Sequence, residues 1–482
     1  MSERILLTGG YVLSMDREIG ELDRGDVLIE DGVIAAVAES IEGADAETID
    51  VTGHVVMPGF VDTHRHTWQT PFRGVCADWT LEDYFRGIRM SISPNCAAED
   101  VYAGNYVGAL EALEAGVTTI LDFSHCNNTP EHADAALAGL LDSGIRAMFA
   151  YGYYPAPSAE PGFPEHDQRL ADARRIREHS LSSDSALVTM GVALTEVGLL
   201  PFEQTIAEAR SAVELGIPSV LHTGCNWGSP VTEGVHELDH HGLLGPHQIH
   251  VHCNTLDDRD LRRLAANDCK ISTSPETEIQ MGMGRPVIGR ALAHGLRPSL
   301  SCDVMSSNSG DMFSQMRIGL QFERCMQNDA FNARNTMPEK LELSVRDALG
   351  WATINGAHAM GLEHRVGSLT PGKQADVIVV GGRRLNMVPM ADPVGCIVAQ
   401  ANPSNVRHVL VAGRFAKRDG ELIGVDVDHA IALAESSCER VLARVRSTGQ
   451  PLLAPTPDGF ADLINTMAAQ HLARAWAIEV SA

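Results

Sequence analysis

The apolar positions of this chain change rhythm as the sequence runs. Over residues 1–57 they come as short runs broken by turns: Ile5-Leu6-Leu7, Tyr11-Val12-Leu13, Val27-Leu28-Ile29 and Val33-Ile34-Ala35-Ala36-Val37. Asp31-Gly32 between the last two is a strong hairpin signal, because both residue types tolerate positive φ. From residue 58 the pattern alternates short, continuously apolar runs with longer stretches of helical spacing. Helical 102–115 precedes a strand at 118–123, and helical 133–143 precedes a strand at 146–151. Helical 202–215 leads into 219–222, and helical 256–267 into 270–273. A continuously apolar strand is buried on both faces, as in a parallel sheet covered by helices. Roughly 310 residues of this alternation match an eight-fold barrel.

Strand-like runs return at Val377-Ile378-Val379-Val380 and from Val406 to Gly413, and beyond residue 426 helical spacing takes over at 428–447 and 458–479. The expected α/β architecture is therefore a (β/α)8 TIM-like barrel over residues 58–366, with a small β-sandwich domain built from both chain ends, 1–57 and 367–425. A helical extension, 426–482, follows; its apolar faces should dock on the body or on another subunit, so a homo-oligomer is expected.

Composition narrows the function. At 482 residues, 44% hydrophobic and 21% charged, the chain has the make-up of a globular enzyme. No apolar run approaches the roughly 20 residues of a membrane helix, so no membrane role is expected. Met1-Ser2-Glu3-Arg4 runs straight into a strand rather than a signal peptide, and the ten cysteines are scattered without a Cys-x-x-Cys pair. A reducing cytoplasm is the expected setting. The formal charge of −26 argues against nucleic-acid binding, which needs clustered Lys and Arg. A small molecule is the expected partner. Only four lysines exist, Lys270, Lys340, Lys373 and Lys417, and none precedes position 270.

The chemistry begins at Pro58-Gly59-Phe60-Val61-Asp62-Thr63-His64-Arg65-His66. Residues i and i+2 of a strand share a face, so both imidazoles can reach one metal ion. They sit at the C-terminal end of a strand, where parallel barrels build active sites. His222, His252 and Asp303 stand at further strand ends, and Asp122 and His125 follow the strand at 118–123. Several histidines with a carboxylate suit one divalent metal ion, Zn2+ or Fe2+, with a position left open for water.

These residues, with Phe72-Arg73-Gly74, Glu114-Ala115-Gly116-Val117-Thr118-Thr119, Gly310-Asp311-Met312-Phe313 and Pro371-Gly372-Lys373-Gln374-Ala375-Asp376, resemble the amidohydrolase superfamily over roughly residues 1–420. The likeness is to the branch of cytosine deaminase, guanine deaminase and the triazine hydrolases. The resemblance implies His64, His66, His222 and Asp303 as metal ligands, with Asp303 as base and His252 as the catalytic partner that steadies substrate or water. Binuclear members bridge their metals with a carboxylated lysine, usually on strand four. The candidate here, 186–194, has none, so a single metal is expected. Gln69, Trp68, Arg73 and His125 are candidate substrate contacts.

The pattern breaks at strand five. Ring deaminases of this branch carry His-x-x-Glu, the Glu passing a proton to the ring nitrogen. Here His222-Thr223-Gly224-Cys225 puts Cys225 in that place. Cys225 is expected to pack or to touch substrate, and Glu196, Glu276 and Glu278 are the candidate replacement acids. The expected reaction is metal-dependent cleavage of a non-peptide C–N bond, as deamination or amine release, in a small aromatic or heteroaromatic molecule. Hydrolysis of a urea, amide or carbamate carbonyl is the alternative that the missing Glu favours. A catalytically silent binding or assembly relative is the remaining one.

Overall fold

The structure, a computed structural model, describes residues 4–155, 162–225, 234–456 and 458–478. Eight strands lie side by side in chain order, all parallel: Phe60–Arg65, Val117–Ser124, Arg146–Gly152, Val188–Ala193, Ser219–Thr223, Gln248–His252, Lys270–Thr273 and Pro298–Leu300. Every residue of these strands is buried, so their polar side chains, as in Gln248–His252 and Lys270–Thr273, are buried with the apolar ones. The sheet closes on itself just past the eighth strand. His66 N donates to Asp303 O at 2.8 Å, and Asp303 N donates to His64 O at 2.9 Å. The expected barrel is present, and its seam runs through three of the expected metal-site residues.

Helices wrap the strands and stop where the sequence says they should. Pro130–Ser143 and Phe202–Leu215 end on Gly144 and Gly216, at φ +73° and +64°, a left-handed cap that a side chain would strain. The helix expected at 102–115 starts earlier, at Ala98–Glu114. Its Asp100 carboxylate reaches back to accept from Ala97 N at 3.0 Å, which makes the extra turn stable.

The strands of both chain ends join one nine-stranded mixed sheet, His54–Pro58 pairing with Val377–Gly381 at its centre. Bulges between Leu7 and Val12 bend the first strand, and the sheet curls until the turn at Gly32 meets Ala412 and Gly413. Ile5, Leu7, Val27, Val56, Val379 and Leu410 fill the space between. Sheet and barrel are tied by Arg146 and Asp376. Arg146 Nε and one terminal NH2 donate to the two carboxylate oxygens, each at 2.8 Å, with both side chains buried.

The C-terminal helices are Val427–Ser447 and Phe460–Ala475. The first crosses Ala98–Glu114, where Asp100 accepts from Ser437, Arg440 and Arg444 at 3.0, 2.9 and 2.7 Å. The second packs on Phe202–Leu215 and is shorter than the pattern at 458–479 suggests; residue 479 lies outside the described residues. Among the described residues no helix is long and apolar enough to cross a membrane.

Candidate active site

The first barrel strand ends at Arg65, and a short 3-10 helix, Thr67–Phe72, turns the chain away across the barrel mouth. That turn is held from outside by Ala98–Glu114. A Cβ on Gly104 would stand 2.3 Å from Trp68 O, and one on Gly108 2.3 Å from Thr70 Oγ1. Two glycines four apart therefore let the helix press against the segment that carries the histidine pair.

His64, His66, His222, His252 and Asp303 converge at the centre of the mouth. His64 Nε2 lies 3.1 Å from Asp303 Oδ1 and 3.3 Å from His222 Nε2. His66 Nε2 is 3.4 Å from the same carboxylate oxygen, and His252 Nε2 is 3.9 Å from the other. Two overlapping groups, His64/His66/His222 and His64/His252/Asp303, each bring their ligand atoms within 4.8 Å of one another, and they share His64. They describe one site.

Outer partners fix which nitrogen faces inward. His66 Nδ1 donates to Phe123 O at 3.1 Å, His222 Nδ1 to Glu196 Oε1 at 2.8 Å, and His252 Nδ1 to Glu278 Oε1 at 3.1 Å. Each bond leaves the Nε2 lone pair pointing at the cluster. Burial holds the His64 imidazole down to about 4 and the His66 imidazole well below its usual range, so both are neutral ligands. Burial works against the Asp303 carboxylate, yet the hydrogen bond from His64 and the surrounding imidazoles outweigh it and hold it far below the usual range. His222 and His64 nitrogens 3.3 Å apart are close enough to share one cation. Asp303 and His252 hold positive φ, +63° and +74°, and Cys253 +59°. These three residues, in two sequence-distant turns, cost on the order of 1–3 kcal/mol each, strain kept where the cluster must be aimed.

Above the cluster lies a pocket lined by His66, Tyr84, Phe85, Arg89, His125, Tyr154, Glu196, Cys225, Thr277, Met281 and Met283 along with His222, His252 and Asp303. His125 is there as expected; its ring stacks on His66 at 3.9 Å between centroids. Cys225 also lines the pocket, so its side chain stands in the wall where the missing Glu was expected. Glu196 is buried in the wall but spends one oxygen on His222, which makes it a ligand-orienting group first.

Three expected substrate contacts lie elsewhere. Gln69 is turned behind the wall by the 3-10 helix: its Nε2 donates to Tyr84 OH at 2.7 Å and its Oε1 accepts from Ser306 at 2.8 Å. Trp68 packs one layer back, with Nε1 donating to His125 Nδ1 at 2.9 Å. Arg73 is half-exposed and pairs with Glu111 at 2.5 Å, away from the mouth. Of the remaining candidate acids, Glu276 is bound to Gln315 at 2.9 Å outside the pocket, whereas Glu278 is fully buried behind His252. Tyr84, Arg89 and Tyr154 were not singled out from sequence at all. The helical spacing Leu81, Tyr84, Phe85, Arg89 was the available signal, one face pointing one way.

The amidohydrolase family model matches residues 55–416. The chain belongs to the amidohydrolase family. It is 28% identical over 445 residues to 5'-deoxyadenosine deaminase of Methanothermobacter thermautotrophicus, covering 90% of this chain and 98% of that one. It is 30% identical over 434 residues to 5-methylthioadenosine/S-adenosylhomocysteine deaminase of Symbiobacterium thermophilum, covering 86% and 94%. Its fold matches that of an adenosine deaminase from Xanthomonas campestris with bound zinc at a TM-score of 0.80, 24% identity, over 91% of this chain and 98% of that one. As an amidohydrolase with this cluster, the protein is a metal-dependent hydrolase of non-peptide C–N bonds that uses a single metal site. No lysine stands at that site: Lys270, at the opposite end of the seventh strand, pairs with Asp268 at 2.8 Å.

Proposed function

We propose that this amidohydrolase releases ammonia or an amine from a flat nitrogen heterocycle of the aminopurine type. One observation carries the reading: a slot walled by Tyr84, Phe85, His125 and Tyr154 opens directly onto the histidine–carboxylate cluster. Flat rings bind between flat side chains, and the reacting carbon then rests against the floor. The near-full-length likeness to deaminases named for adenine nucleosides supports the same substrate class.

In this reading His64, His66, His222 and Asp303 hold one divalent ion, with zinc the best fit to a histidine–carboxylate set. When bound, such an ion supplies a water made acidic enough to attack at neutral pH. Asp303, its free oxygen turned towards His252, accepts a proton as the new C–O bond forms. His252 is placed to exchange a proton with the reacting group, its Nε2 3.9 Å from Asp303 Oδ2. Burial opposes its charge, but Glu278 behind it and Asp303 before it raise its affinity for a proton above the ordinary histidine value. It can therefore give a proton to the departing nitrogen or steady the developing oxyanion. Glu196 keeps His222 aimed. Cys225 offers no proton relay to a ring nitrogen, and that observation favours a second reading, hydrolysis of an amide- or urea-type carbonyl, which is already polarised. We further propose a cytoplasmic setting, since no disulfide joins the ten cysteines, and self-association through the outer face of the tail, where Ile431, Leu463 and Trp476 are exposed.

The test is metal analysis joined to an ammonia and amine assay over adenosine analogues, guanine, pterins, triazines, phenylureas and anilides. One zinc per chain and ammonia from a ring substrate are expected. Amine release confined to ureas or anilides would replace the first reading with the second.

A further inference from the structure

Among the described residues Arg89 is a buried cation without a counter-charge. It is 8% exposed, lines the substrate pocket, and makes no ion pair with any acid among the described residues. One NH2 group donates to His125 O at 2.7 Å and to Ser93 Oγ at 3.3 Å. Its Nε and other NH2 have no acceptor among the described residues. The guanidinium lies 5.3 Å from the centroid of the Tyr154 ring, whose hydroxyl is 3.2 Å from His222 Nδ1. Arg89 is thus one side chain removed from the metal cluster.

The other charges of the pocket are spoken for. Asp303 faces the histidines and Glu196 accepts from His222. Leaving a guanidinium unpaired at this depth is costly, and proteins retain such a group when something else brings the opposite charge. The backbone beneath it is also unusual. Phe85–Ile92 is wound as a π-helix, a rare form that concentrates at functional sites. Phe85 and Arg89 line the pocket from this stretch, and Leu81 and Tyr84 from the α-helical turn just before it.

We propose that Arg89 recognises a carboxylate carried by the substrate, so that the natural substrate is an anionic heterocycle rather than a neutral one. The proposal rests on the pocket being the substrate site described above, and it names the substrate class more closely. A planar guanidinium with two free donors matches a carboxylate through paired hydrogen bonds, with the ring lying against Tyr154 and His125 and its reacting carbon over Asp303.

The test is calorimetric titration of the zinc-loaded, full-length protein with matched ligand pairs, benzoate against benzamide and nicotinate against nicotinamide. The carboxylates should bind about tenfold or more tightly than the amides, the worth of a charge-assisted hydrogen-bond pair. Arg89→Met should erase that preference with zinc content unchanged, and Arg89→Lys should retain part of it. Arg89→Gln serves if the Met variant does not fold. Equal binding by the wild type overturns the proposal. So does a preference that survives in Arg89→Met, because the carboxylate is then held by the metal. Ammonia release from neutral aminopurines is scored apart. No ammonia from neutral or carboxylated aminopurines alongside carboxylate preference sinks the ring reading only, and ammonia release with indifference to carboxylates sinks only this one.

Discussion

Two buried carboxylates stand at opposite ends of the same barrel, and they are treated differently. At the N-terminal end Asp376 is fully occupied: Arg146 grips both oxygens at 2.8 Å, and Ala412 N donates to one of them at 2.8 Å. At the C-terminal end Asp303 is surrounded by imidazoles, with His64 Nε2 at 3.1 Å the nearest. One acid has every partner it needs, and the other is arranged so that only a cation completes it. Satisfied buried charge joins parts of a fold; unsatisfied buried charge marks where a ligand belongs.

Substitutions at each end should separate those purposes. Asp303→Asn should lower turnover by about 10^4-fold, the upper range for losing a proton acceptor, with the circular dichroism spectrum unchanged. Retained activity would remove Asp303 as base. Asp376→Ala should do the reverse, costing about 3–5 kcal/mol of stability by stranding Arg146, read as a lower urea midpoint, while the folded fraction keeps its turnover. The two outer carboxylates sharpen the contrast within the site. Glu278→Gln should lower kcat/KM by about 10–100-fold with zinc still bound, whereas Glu196→Gln should weaken zinc itself by a similar factor in chelator competition. If both variants lose only zinc, His252 is a ligand and not a proton carrier.

The smallest effect concerns pH. Glu208 is fully buried, and burial raises its carboxyl to about 8, although Thr195 N donates to it at 2.8 Å. The fold therefore prefers the protonated form, and stability should fall as pH rises from the ordinary value of 4.5 through 8. Glu208→Gln should flatten that slope in thermal melts taken across the window. His166 Nε2, 3.4 Å away, limits the size of the loss.

The residues of the cluster were legible because each stands at or just past the C-terminal end of a barrel strand, where the barrel must expose its mouth. Glu278 was legible as a candidate acid, but its place behind His252 was not. Ser274-Pro275-Glu276-Thr277-Glu278 reads as the exposed first turn of a helix, yet Ser274 N donates to Glu278 Oε1 at 2.7 Å and folds it inward onto His252. Gln69 misled for a related reason. A strand-like continuation from His66 would have placed it in the pocket, and the 3-10 turn rotates it to the back. Arg89 shares the helical spacing of Leu81, Tyr84 and Phe85, but that spacing says only that the four share a face and not that the face turns into the barrel mouth. Such placements are decided by tertiary contacts, not by local spacing.

The barrel seam has a mechanical consequence. His64 and Asp303 are joined across it by backbone hydrogen bonds, and Asp62 reaches over to accept from Cys302 N at 3.1 Å. Ligands on both edges of one joint make the bound ion a rivet. Stripping it should loosen the first and eighth strands together, so the apo-protein should be nicked by trypsin near this joint sooner than anywhere else in the barrel, and zinc should close it again.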